Sequence, residues 1–145
     1  MKINFFFEDV QFVLEHRSQL RKWISVVVES EGHTLGELNF IFCSDHYLLD
    51  INIKFLDHDY FTDIITFSHD NPDAIAGDLF LSFDRMAENA SNLNKSFDDE
   101  LHRVMVHGVL HLLGYSDKSA GHKLAMTARE DYHLARRDFN SNGAK

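Results

Sequence analysis

His107-Gly-Val-Leu-His111-Leu-Leu-Gly114-Tyr-Ser-Asp117 sets two histidines four residues apart inside an apolar run, followed by a glycine and a carboxylate. On an α-helix, residues i and i+4 stand one above the other, so both imidazoles face the same point. Glycine accepts the left-handed conformation that ends a helix, so Gly114 predicts a stop from which the chain can double back. That return brings Asp117 towards the two rings. Two nitrogens, one oxygen and an open coordination position make the ligand set of a catalytic zinc site, with one Zn2+ per chain. The competing reading is a pair of core histidines satisfied by hydrogen bonds. Leu101, Val104, Met105, Val106, Val109, Leu110, Leu112 and Leu113 make this helix apolar on nearly every side, and therefore buried. Two unpartnered imidazoles there are costly, and one metal satisfies both. The third ligand is more open. Asp117 also suits the N-cap of the next helix, and His122 and His133 compete with it.

Outward from this helix, the spacing predicts three helices at the C-terminal end: Asp84 to Asn94, Asp98 to Leu113, and Lys118 to Phe139, with fraying from Asn140. Towards the N-terminus, Ile3 to Phe7 reads as a strand. His16 to Ser30 has helical spacing (Leu20, Trp23, Ile24, Val27, Val28) and closes at Glu31-Gly32. Leu38 to Phe42 reads as a strand, and Ser44 or Asp45 caps a helix running through Phe55. Asp63 to Phe67 and Asp78 to Phe83 are two further strands around a loop with the only proline, Pro72. The order β, α, β, α, β, β and three helices predicts an α+β fold, a four-stranded sheet with flanking helices.

A chain of 145 residues is expected to form one domain, residues 1–145. A hydrophobic share of 44% with 13 phenylalanines supplies its core. The single cysteine, Cys43, excludes an internal disulfide and suits a reducing compartment. The first residues lack the apolar stretch and small-residue cleavage site of a signal peptide. No segment approaches the roughly 18 apolar residues of a membrane span. The expected location is cytoplasmic, with no membrane partner. A net charge of −9 speaks against indiscriminate nucleic-acid binding and leaves room for a local basic groove.

An open zinc site suits hydrolysis of an ester, amide or phosphodiester. Zinc proteases of the H-E-x-x-H type place a glutamate directly after the first histidine as general base. That place is Gly108 here, which can neither take nor give a proton. An aspartate ligand cancels one unit of the ion's charge, so a bound water is less acidic than with three neutral ligands. It also widens tolerance for manganese or iron.

With these residues in place, the sequence resembles the YbeY endoribonuclease (rRNA maturation factor) family. The signature His-Gly-x-Leu-His-Leu-x-Gly-Tyr matches residues 107–115 at every specified position. Asn52, Asp59 and Thr62-Asp63-Ile64-Ile65-Thr66-Phe67 resemble a second block, and Gly77-Asp78-Leu79 a third. The resemblance implies a mixed sheet with a metzincin-like zinc cleft, and His107 and His111 as metal ligands. It implies a zinc-dependent, single-strand-specific endoribonuclease acting on rRNA, chiefly of the ribosomal small subunit, in maturation and quality control. No DNA partner is expected.

Two positions depart from the family's pattern. Its usual Gly-Tyr-Asp-His ending becomes Gly114-Tyr115-Ser116-Asp117, which puts an oxygen donor at the third-ligand position. The family usually carries an arginine where this chain has Leu56. Arginine can hold a phosphate or offset its developing charge, and leucine can do neither. Arg103, one turn before His107 on its face, is the candidate replacement, against the alternative of a charge snorkelling from a buried helix. Asp63 and Asp78 are candidates for the cleft or for turn-side caps. Thr62 opens a strand, Tyr115 is a lid over the metal or a core aromatic, and His102 is expected at the surface. The alternative functions are a zinc-binding ribosome-assembly factor with little cleavage activity, or another metal-dependent hydrolase.

Overall fold

Strand β2 (Leu35–Cys43) is the apolar spine of the sheet, with β1 (Ile3–Phe7) parallel on one side and β4 (Ile75–Ser82) parallel on the other. Strand β3 (Ile64–Ser68) runs antiparallel along β4, giving the order β1-β2-β4-β3. These are features of a computed structural model that describes residues 2–139, so the expected fraying from Asn140 lies outside the described residues.

Alternation along the strands divides the apolar side chains between two faces. Leu38, Phe40, Phe42, Leu79 and Leu81 point to the larger core, shared with α1 (Arg17–Ser30) and α4 (Phe97–Leu112). Leu20, Trp23, Ile24, Val27 and Val28 form the buried stripe of α1, at helical spacing. Cys43 and Ile65 face a smaller cluster beneath α2 (Asp45–Leu56), which contributes Leu48. Helix α3 (Phe83–Asn92) leads to α4, and α5 (Ala120–Ala135) packs against α4. Serine hydroxyls cap four helices: Ser44, Ser82, Ser96 and Ser119 accept backbone N–H bonds at the starts of α2, α3, α4 and α5.

The expected elements all appear, in the expected order, as a mixed four-stranded sheet with helices on both faces. The strand boundaries differ most. β2 begins three residues before Leu38 and β4 three before Asp78, because both extend along the parallel partner that their pairing provides. The last helix is shorter than the pattern from Lys118 to Phe139. It starts only after Ser119 and ends at Ala135, while Phe139 still packs into the larger core.

His102 is the clear correction. Expected at the surface, it is 1% exposed, between Trp23 and Phe139, with Arg137 Nη1 donating to its Nδ1 at 2.7 Å. It sits on the face of α4 turned to α1, where an apolar pattern interrupted by one imidazole hides a buried position. Burial and the neighbouring Arg137 charge push its pKa down to about 3, so it is a neutral core residue.

Candidate metal centre and cleft

Gly114 ends α4 at φ +107°, with Gly114 N–H donating to His111 O and Tyr115 N–H to Leu110 O, both at 3.0 Å. These are the two bonds of a Schellman stop, which needs a left-handed residue at the glycine position. The returning chain is tied by Lys118 N–H to Ser116 Oγ, and Ser119 rather than Asp117 caps α5. The side chain of Asp117 is therefore free to face the histidines. Its Oδ2 lies 3.6 Å from His107 Nε2 and 3.4 Å from His111 Nε2. One ligand atom from each of the three falls within 4.8 Å of the others. Tetrahedral bonds of zinc length set ligand atoms about 3.3–3.6 Å apart, so the donor set and spacing fit an ion of that size. His122 is exposed on the first turn of α5 and His133 is buried against Glu31; neither joins the group.

Two carboxylates brace this group, Glu130 on α5 and Glu31 at the end of α1. Glu130, 5% exposed, accepts from His107 Nδ1 at 2.5 Å. An ionised carboxylate only accepts, so Nδ1 carries the proton and Nε2 is left to face Asp117. Burial disfavours a charged His107, but the hydrogen bond and charge of Glu130, with Asp63 and Asp117, outweigh it and hold the pKa above the ordinary histidine value. Arg103 donates to Glu130 Oε1 at 2.8 Å and to Asp131 Oδ1 at 2.6 Å, and it does not line the cleft. A second brace holds the turn. Glu31 accepts from Tyr115 Oη at 2.8 Å and from Arg129 Nε and His133 Nε2, each at 2.6 Å. Burial alone raises the Glu31 pKa; these three donors reverse that and bring it below the usual glutamate value. The available signal was on α5 itself, where Glu130 and His133 share a buried stripe with Met126 at i, i+4 and i+7.

The candidate metal group lies in a cleft of about 490 Å³. Its facing wall is the α2–β3 connection. Buried Asn52 holds this wall: its Nδ2 donates to Tyr60 O at 2.9 Å, and its carbonyl accepts from His58 N–H at 3.1 Å. The His58 and Tyr60 rings stack, with centroids 5.1 Å apart and planes 19° from parallel, and Tyr60 remains 56% exposed. Leu56, 41% exposed, lines the same wall. Thr62 and Asp63, at the entry to β3, line the cleft as well. Burial raises the Asp63 pKa above the usual aspartate value, against the opposing pull of His107. Asp78 does not line the cleft; it accepts from Asn39 and pairs with His69. Tyr115 is anchored on Glu31 and packs against the larger core, away from the cleft lining.

A family model described as Endoribonuclease YbeY matches residues 4–138. Among curated proteins, Endoribonuclease YbeY of Cytophaga hutchinsonii is 49% identical over 138 residues, 94% of this chain and 96% of that one. Endoribonuclease YbeY of Bacteroides thetaiotaomicron is 42% identical over 94% of this chain and all of its own length. Among solved structures, the solution structure of TM1509 from Thermotoga maritima superposes with a TM-score of 0.62 at 22% identity, covering 99% of each chain. That likeness concerns the fold.

Proposed function

This chain belongs to the YbeY endoribonuclease family, and from that premise we propose that its cleft cuts single-stranded rRNA, chiefly of the ribosomal small subunit, with one zinc ion held by His107, His111 and Asp117. The endoribonuclease role in rRNA maturation follows from the family. The metal identity, the ligand set, the strandedness and the small-subunit target are this proposal, as are a single domain over residues 1–145 and a cytoplasmic setting. Among the described residues no helix is long and apolar enough to cross a membrane.

The observation that carries the reading is the carboxylate placed 3.4 and 3.6 Å from two imidazole nitrogens at the floor of an open cleft. When bound there, zinc supplies Lewis acidity to a phosphodiester. The chain supplies the setting. Glu130 fixes the His107 tautomer, and the Glu31 cluster fixes the turn that carries Asp117. Asp63 offers a carboxyl with a raised pKa inside the cleft, suited to hold or pass a proton. The exposed rings of His58 and Tyr60 suit the face of an unpaired base, which a duplex would keep stacked inside.

The test is cleavage of a single-stranded rRNA fragment by zinc-loaded, metal-stripped and His111→Ala protein. The reading requires activity in the first and its loss in the other two. A second reading, a zinc-binding ribosome-assembly factor with little cleavage activity, is favoured by one observation: Leu56 faces the cleft, and Arg103 is committed to Glu130 and Asp131. Zinc-loaded protein that binds the fragment without cutting it selects this reading instead.

A further inference from the structure

Zinc held by His107, His111 and Asp117 would offset part of the charge of a phosphodiester entering the cleft, and a protein-borne cation beside it would offset the charge that grows on the phosphate during cleavage. The arginines bonded to the carboxylates that brace His107 and the Asp117 turn are committed: Arg103 is held by Glu130 and Asp131, and Arg129 by Glu31. Among the described residues lining the cleft, Lys118 alone carries a fixed positive charge. No carboxylate lies within ion-pair distance of it among the described residues. Its root is fixed rather than loose: its N–H donates to Ser116 Oγ at 3.2 Å, between the turn carrying Asp117 and the Ser119 cap of α5.

We propose that Lys118 is a catalytic residue of this cleft, whose Nζ donates to a non-bridging oxygen of the scissile phosphate and offsets the negative charge that grows there. The proposal rests on the phosphodiesterase reading of the cleft. It gives the charge that Leu56 cannot supply on the facing wall to the opposite side, one residue after Asp117. A compact ammonium on a flexible stem can reach a phosphate oxygen without the bidentate geometry that arginine requires. The lysine therefore needs no further carboxylate to orient it.

The experiment compares wild type, Lys118→Met, Lys118→Arg, and Lys118→Met combined with Leu56→Arg, all zinc-loaded. Lys123→Met, an exposed lysine on α5 outside the cleft lining, is the control. Zinc content is measured for each. Lys118→Met is expected to keep its zinc and lose about 10²–10³-fold in kcat on a single-stranded RNA, as for removal of one oxyanion donor. Affinity for a nuclease-resistant 2′-O-methyl RNA is then followed against salt. Loss of one phosphate contact lowers the slope of log K against log[salt] by about 0.7. Lys118→Arg is expected to keep most activity, and Leu56→Arg to restore part of what Lys118→Met removes. Unchanged turnover and salt slope in Lys118→Met overturn the proposal, as does loss of zinc in that variant, which makes the lysine a support for Asp117. Wild type that neither binds nor cuts RNA overturns the phosphodiesterase reading itself, and this inference with it.

Discussion

Truncating Glu130 to alanine removes the acceptor of His107 Nδ1 at 2.5 Å and of Arg103 Nη1 at 2.8 Å in one step. The carboxylate is nearly inaccessible, whereas the Arg103 side chain is 26% exposed and keeps Asp131. The stranded guanidinium can therefore turn to water, and the full cost of breaking a buried pair does not apply. A loss of about 2 kcal/mol in the metal-free protein is expected, below the ~3–5 kcal/mol of a fully buried pair. The effect on the metal is separate. Without Glu130 the His107 ring loses the bond that fixes its tautomer and its rotation. Removing such a partner lowers metal affinity about 10–100-fold, or about 1.4–2.8 kcal/mol. Glu130→Gln is informative beside it. Its amide has one oxygen, so it satisfies either His107 or Arg103 but not both, and an intermediate loss is expected on both scales. Stability is read by urea unfolding of chelator-treated protein, and affinity by competition with a zinc indicator. The reasoning fails if Glu130→Ala is folded and binds zinc within about threefold of wild type, since the measured partner effect begins near tenfold.

Gly108→Ala is expected to destabilise by about 1 kcal/mol, because a helix-propensity gain of ~1 kcal/mol is outweighed by ~1–3 kcal/mol of overpacking. A Cβ there stands 2.5 Å from Ile64 Cδ1 and 2.8 Å from Leu79 Cδ2. Ile64→Val removes the nearer atom and should recover part of the loss in the double variant; purely additive denaturation energies would refute the contact. His102 makes stability fall in acid. The unfolded chain takes up its proton below about pH 6.5, while burial and the Arg137 charge delay uptake in the folded state to about pH 3. Between pH 6.5 and 4.5 this amounts to about 2 kcal/mol. His102→Gln should lack that component in paired urea titrations of metal-free protein, and identical pH slopes would remove His102 as its source. Cys43 is fully buried, and burial with the nearby carboxylates pushes its thiol up to about 12. It should stay unreactive to a disulfide reagent until denaturant is added; rapid native labelling would contradict its burial.

The parts legible in the sequence are those coded by local period and local chemistry. Helix α1 declares itself through Leu20, Trp23, Ile24, Val27 and Val28, and the turn after α4 through Gly114. The candidate metal group belongs with them, since the i, i+4 histidines and the returning aspartate all fall between residues 107 and 117. Spacing after Gly114 favours Asp117 in the sequence, but its competing role as a cap stays open there, because Asp and Ser both cap helices well and the three-dimensional turn shows Ser119 in that role. His102 and Glu130 were illegible for another reason. A polar residue on a helix is assigned to water unless its partner is known, and their partners lie 35 and 23 residues away. Arg103 shows the same limit: its spacing placed it correctly on the His107 side of α4, but its commitment to Glu130 and Asp131 depends on α5.

Gly108 joins the fold to the chemistry. In the sequence it is the missing general base of a zinc protease, a statement about catalysis alone. In the structure it is the point where α4 lies against β3 and β4, so close that even a methyl group meets Ile64 and Leu79. A glutamate at that position would point into the sheet, where its carboxylate would be buried without a partner. Helix α4 therefore cannot carry both its histidine pair and a base beside it while keeping this packing. Other elements bring the carboxylates instead: α5 sends Glu130 behind His107, and the entry to β3 sends Asp63 into the cleft in front. The division of labour follows from it. The buried carboxylate, satisfied by Arg103 and His107, holds the His107 ring still, while the cleft carboxyl with the raised pKa remains available to a proton. A helix packed this tightly on its sheet is also a rigid base, which suits a site whose ligand spacing must hold within a few tenths of an ångström.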